Sequence, residues 1–169
     1  MLPIFINLHS QIGYMNFEKK KFLQTRFISL LQRLDVNTPP RWGKMNVQQM
    51  IEHFTDAVML ASGKFNLPII TPRDSLLRYR EFLLSEKPFK ENTKSPVMGE
   101  EPAALRKHTP QAAIGKLQEE LINFFKTFEK NPNLITRNPV FGDLNFDENI
   151  QLIHKHALHH LKQFGIEAH

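Results

Sequence analysis

Four stretches of this 169-residue chain repeat apolar side chains at steps of three and four, and that period constrains the fold more than any other feature. The first runs from about Asn16 to Leu34 and carries Leu23, Phe27, Leu30, Leu31 and Leu34. The second, Asn46 to Ser62, carries Val47, Met50, Phe54, Ala57, Val58 and Ala61. The third opens at Thr109 and Pro110, lines up Ile114, Leu117, Leu121, Phe124 and Phe128, and ends before Pro132. The fourth, Asn145 to Gly165, lines up Ile150, Ile153, Ala157, Leu161 and Phe164. The end signals agree with the periods. Asn46 with Gln49 and Asn145 with Glu148 have capping-box spacing, Thr109 precedes a proline suited to the first helical position, and Gly63 supplies a stop.

Between Gly63 and Thr109 lies a long connection with one short helix expected from Thr71 to Ser85, begun by Thr71 and Pro72. A connection of that length can cross a bundle from end to end, so the second and third long helices need not be antiparallel neighbours. The expectation is an all-α chain with one domain over residues 16–169. Residues 1–15 form an N-terminal extension to which no role is given. Its apolar stretch, MLPIFINLHS, lacks a basic leader and a small-residue cleavage site and is too short to span a bilayer. A cytoplasmic protein with no membrane partner is expected.

A chain of this size can bury a full core without covalent staples. It has no cysteine, which removes disulfides, thiolate metal sites and a cysteine nucleophile, and leaves histidine and carboxylate as ligand chemistry. The formal charge of +5 comes from 22 basic and 17 acidic residues that are interspersed, with no basic run interleaved with aromatics. Nucleic acid is therefore not an expected partner. Lys19, Lys20 and Lys21 form the single basic cluster and read as the solvated face of the first helix.

Four of the eight histidines fall within HKHALHH, His154 to His160. At about 100 degrees per residue, His156 and His160 differ by about 40 degrees and stack one turn apart. Both border the stripe that holds Ile153, Ala157 and Phe164, whereas His154 and Leu158 project away. His159 lies about 60 degrees to the other side of His156, at the rim. His53 shares a stripe with Met50, Ala57 and Leu60 and also borders the core. Two histidines at this spacing are often mere boundary residues, and a lone histidine on an apolar stripe is often a hydrogen-bonded core residue. Three inward imidazoles from two helices can also form one metal site. Position 157 is alanine, so the HExxH pattern of zinc proteases is absent, as are GxSxG, P-loop and GxGxxG motifs.

The words around these histidines add to the spacing. RWGKMNVQQMIEH, Arg41 to His53, resembles the WGKM opening of the second helix in an uncharacterised subfamily of DinB-like proteins. NPVFGDLNFDENIQLIHKHALHHLKQFGI, Asn138 to Ile166, is similar to that subfamily's HPxFGxL segment followed by HxxHHLxQFG. Asn138 stands where a histidine is common in the subfamily, and Asn149 where an aromatic is common. The resemblance implies a four-helix bundle in up-down-down-up order with a long crossover, often dimeric. It places the family's metal-binding histidines on His53, His156 and His160. Some relatives use a low-molecular-weight thiol as transferases or isomerases.

Three neutral imidazoles leave a divalent ion, zinc or nickel by expectation, its full charge and open positions. The first reading is thus an enzyme in which such an ion activates a thiol or water against a small electrophilic substrate. Glu52, Asp56, Asn149, Gln163 and His159 are the candidates to orient ligands or move protons. The alternative is a non-catalytic metal- or ligand-binding bundle, stress-related or structural, without turnover.

Overall fold

Capping hydrogen bonds set where the helices of this chain begin. The computed structural model describes residues 16–93, 97 and 99–168, so the expectation for residues 1–15 lies outside the described residues. Helix α1 covers residues 16–33 and contains a π-helical turn, Phe22–Arg26. It is followed by α2 (Val47–Ala61), α3 (Arg73–Leu84), α4 (Pro110–Lys130) and α5 (Phe146–Gln163). Both asparagine caps form complete boxes: Asn46 accepts from the Gln49 amide and Asn145 from the Glu148 amide, while each partner side chain returns to the cap's own N–H. The Thr109 hydroxyl accepts from the Ala112 amide ahead of Pro110. Each such cap is worth about 1 kcal/mol to its helix.

The start of α3 differs from the expectation, and one small element was not expected. Pro72 is itself the cap of α3, because the Thr71 hydroxyl donates to the Val140 carbonyl at 2.8 Å and is not free to cap locally. A small antiparallel hairpin also precedes α5, with β1 (Thr136–Asn138) paired to β2 (Gly142–Leu144) in the register Thr136 to Leu144, Arg137 to Asp143 and Asn138 to Gly142. Strands of three residues carry too few alternations to be read from sequence. The regular structure of the described residues is otherwise helical, consistent with an all-α class, and no described helix is long and apolar enough to cross a membrane.

The main core joins α1, α2, α4 and α5 through Phe27, Phe54, Phe124, Met50, Leu117 and Ile153, all essentially inaccessible. Polar contacts along the seams give the relative directions of the helices. Gln48 donates to the Lys107 carbonyl, and Lys64 meets Glu120 at 2.6 Å, so α2 and α4 run the same way. Gln163 reaches the Trp42 carbonyl at one end and His156 lies against His53 farther along, so α2 and α5 are antiparallel. Lys19 bonds Gln151, and the Phe22 ring meets that of His154 at 5.1 Å, so α1 and α5 run parallel.

The crossover packs on α5 and the hairpin through a second apolar cluster of Leu83, Phe141 and Leu144, with Phe82, Phe89 and Leu152 against it. Here Lys19 departs from its expected solvated role: it is buried and bonds Glu86 at 2.9 Å, while Lys20 is half-buried and only Lys21 is exposed. Beside Lys19, Gln151 donates to the Leu83 and Ser85 carbonyls, and Lys155 donates to those of Phe82 and Ser85. These carbonyls lie at the C-terminal end of α3, where a cation is favoured by up to roughly 2 kcal/mol when partly buried. Burial holds the Lys155 pKa down to about 8.

Candidate metal centre

His53 is presented by the middle of α2, and His156 and His160 by successive turns of α5. The antiparallel packing of these two helices brings the three rings together. His156 Nε2 lies 2.8 Å from His160 Nε2 and 3.2 Å from His53 Nε2, and one ring nitrogen from each of the three lies within 4.8 Å of the others. His160 is buried, while His53 and His156 are half-buried. Two nitrogens held at about 2.0–2.1 Å from one zinc ion with a tetrahedral angle lie roughly 3.3–3.4 Å apart, close to the 3.2 Å between His53 and His156, while the 2.8 Å between His156 and His160 is shorter. Among the described residues no carboxylate or further histidine joins the cluster.

The electrostatics suit ligands. Burial is the main cause of a lowered pKa at each ring, and each neighbouring imidazole opposes a second positive charge. His156 is pushed well below the usual histidine range, and His160 falls to about 3 against a weaker opposing contribution from its bond to Gln163. His53 is lowered by burial, partly countered by the negative charge of Asp56. At neutral pH all three imidazoles carry free lone pairs, as a metal ligand requires.

Gln163 fixes one tautomer. Its amide nitrogen donates to the Trp42 carbonyl at 2.8 Å, so its oxygen must face His160 Nδ1, which lies 2.8 Å away. Nδ1 therefore carries the proton, and the Nε2 facing His156 is bare. The approach depends on Gly43, whose backbone has φ +78° and where a Cβ would stand 3.0 Å from the Gln163 amide nitrogen. Gly165 repays the contact from the other side, since a Cβ there would meet the Arg41 guanidinium at 3.2 Å, and the Arg41 amide donates to the Gln163 carbonyl. The RWG and QFG words thus interlock. Replacing Gln163 by leucine is expected to weaken zinc binding about 10–100-fold with the helical content unchanged. Competition with a chromophoric chelator, alongside far-ultraviolet circular dichroism, measures both; unaltered affinity would refute the orienting role.

The other candidates separate into two groups. His159 stays at the rim, its ring 5.3 Å from that of His160 and 5.5 Å from that of Trp42. Asn149, two turns before His156, spends its amide on Thr136, Leu144 and Asn145 and so ties the hairpin to α5, away from the cluster. Glu52 and Asp56 flank His53 but turn to the end of the crossover. Glu52 accepts from the Arg106 and Lys107 amides and from the Arg106 side chain, and Asp56 takes two bonds from the Arg106 guanidinium at 2.9 Å each.

Sequence reading missed Arg106, which holds the crossover against the helix that bears His53, and Phe89, whose ring stands edge-on to His156 at 6.4 Å. Both lie far from the histidines in sequence, in a connection without periodicity. Trp42 stood within a recognised word, but its service to Gln163 is through a carbonyl, which no side-chain pattern reveals. The chain has no match among protein-family models, curated proteins or solved structures.

Proposed function

We propose that this chain is a DinB-like four-helix bundle, up-down-down-up, that binds a divalent metal on His53, His156 and His160 and acts as a metal-dependent enzyme on a small electrophilic substrate. The observation that carries the reading is the convergence of three neutral imidazole nitrogens, with no carboxylate among them, at separations suited to one ion. The directions of α1, α2, α4 and α5 support the bundle order. An ion held there supplies Lewis acidity that lowers the pKa of a thiol or water toward neutrality. His53, His156 and His160 would hold it without reducing its charge, with Gln163 orienting His160. His159, at the rim, is the group proposed to exchange protons with a reacting molecule. Zinc or nickel suits the donor set, a low-molecular-weight thiol is the co-substrate proposed, and the dimeric, cytoplasmic form of such proteins is part of the same reading.

Metal-loaded protein is expected to conjugate monochlorobimane with at least one member of a panel of small thiols, and the His156→Ala variant to fall to background. Background rates across the whole panel would remove thiol transfer. One observation favours a second reading, a non-catalytic metal- or ligand-binding bundle: Arg106 engages both carboxylates that flank His53. Stoichiometric metal without turnover of thiol or ester substrates would select it.

A further inference from the structure

Beside the histidine cluster the surface opens into a cleft of about 250 Å³ between the segment that follows α3, residues 86–91, and α5. Trp42, Phe89 and His159 form its aromatic walls, with Leu158 and Ile166 among its apolar lining. The rings pack against one another, His159 tilted on Trp42 at 5.5 Å and edge-on to Phe89 at 5.9 Å, centroid to centroid, and so form one aromatic wall. The cleft adjoins the cluster through shared side chains, since Phe89 also faces His156 and His159 also faces His160.

Three carboxylates, Glu86, Glu91 and Glu167, line the cleft, and both of its lysines are engaged. Lys162 pairs with Glu91 at 2.9 Å, Glu86 pairs with Lys19 at 2.9 Å, and Lys155 is turned onto the Phe82 and Ser85 carbonyls. Neither lysine of the lining is left to hold an anion, and an anionic guest would lose hydration without gaining a partner. A dry cavity of about 150 Å³ accepts benzene, so the volume here fits a molecule of one or two rings.

We infer that this cleft binds a small, planar aromatic molecule without negative charge and that such a molecule is the substrate class presented to the metal centre. As substrate selection, the inference rests on the proposed metal chemistry; as a binding site, it does not.

Trp42 is the single tryptophan of the chain and reports directly on the cleft. Full-length protein, metal-free and metal-loaded, is titrated with 1,3-dinitrobenzene and with its anionic counterpart 3,5-dinitrobenzoate while Trp42 fluorescence is followed. Saturable quenching is expected in both metal states, with the neutral probe bound about tenfold more tightly than the anion. Leu158→Arg and, independently, His159→Ala are each expected to weaken the neutral probe about tenfold, with circular dichroism confirming the fold. Linear, non-saturating quenching, or equal affinity for the two probes, overturns the inference. Elemental analysis of the same samples keeps the readings apart: metal without probe binding removes the cleft, and probe binding without metal removes the centre.

Discussion

Metal-free protein given zinc or nickel at about a thousand times the dissociation constant is expected to gain about 4 kcal/mol of stability. For a chain of this length that is a rise of roughly 8–16 °C in melting temperature. His156→Ala should show almost none of it, because His156 is the ring that approaches both of the others, at 2.8 Å from His160 and 3.2 Å from His53. Its ring also packs against that of Phe54 at 5.2 Å, so circular dichroism of the alanine variant is measured alongside to establish it as a folded control. Calorimetry and elemental analysis check the claim together. Wild-type protein that carries no stoichiometric metal and does not shift on loading would end the metal proposal.

The second large effect needs no metal. An unfolded histidine titrates near 6.5, whereas burial lowers His160 to about 3 in the fold. Between those values the unfolded chain takes up a proton that the native state refuses, so acidification favours unfolding. The contribution of His160 is fully present above the unfolded value and is lost as the pH falls from there toward about 3. By about pH 5 the loss is roughly 2 kcal/mol for this residue alone. His53 and His156 shift in the same direction and add to it. The lowered carboxylates Glu52 and Glu120 act on the same side, but their window opens only below the ordinary carboxylate value of 4.5. Urea unfolding of chelator-treated protein at neutral pH and near pH 5 isolates the histidines. Stability that is flat or higher at the acidic point would contradict the burial of neutral imidazoles.

These two results probe a site whose ligands are legible in the sequence for a local reason. His156 and His160 are one helical turn apart, so their shared direction follows from the backbone period alone. Which third group they meet does not. That His53 approaches depends on α2 and α5 packing antiparallel, an arrangement held by Gln163 on the Trp42 carbonyl and by the glycines that allow the two words to touch. The resemblance of those words to DinB-like motifs pointed to His53, and the tertiary structure shows the contact itself. Asn149 illustrates the opposite case. On the helix wheel it shares a face with His156, yet its amide is consumed by the hairpin, an element too short to leave a period.

The sequence by itself determined the helices at 47–61, 110–130 and 146–163, because caps and apolar stripes act over a few residues and need no partner to be recognised. It also determined that any metal here must be held by histidine or carboxylate, because the chain contains no cysteine. Only the tertiary structure decided the remainder: the burial of Lys19 and Lys155 beneath the crossover, the Arg106 contact with Glu52 and Asp56, and the aromatic cleft beside the histidines. Each joins residues about fifty or more positions apart, and long-range pairings are chosen by the packing of whole elements, where no local period or cap is at work.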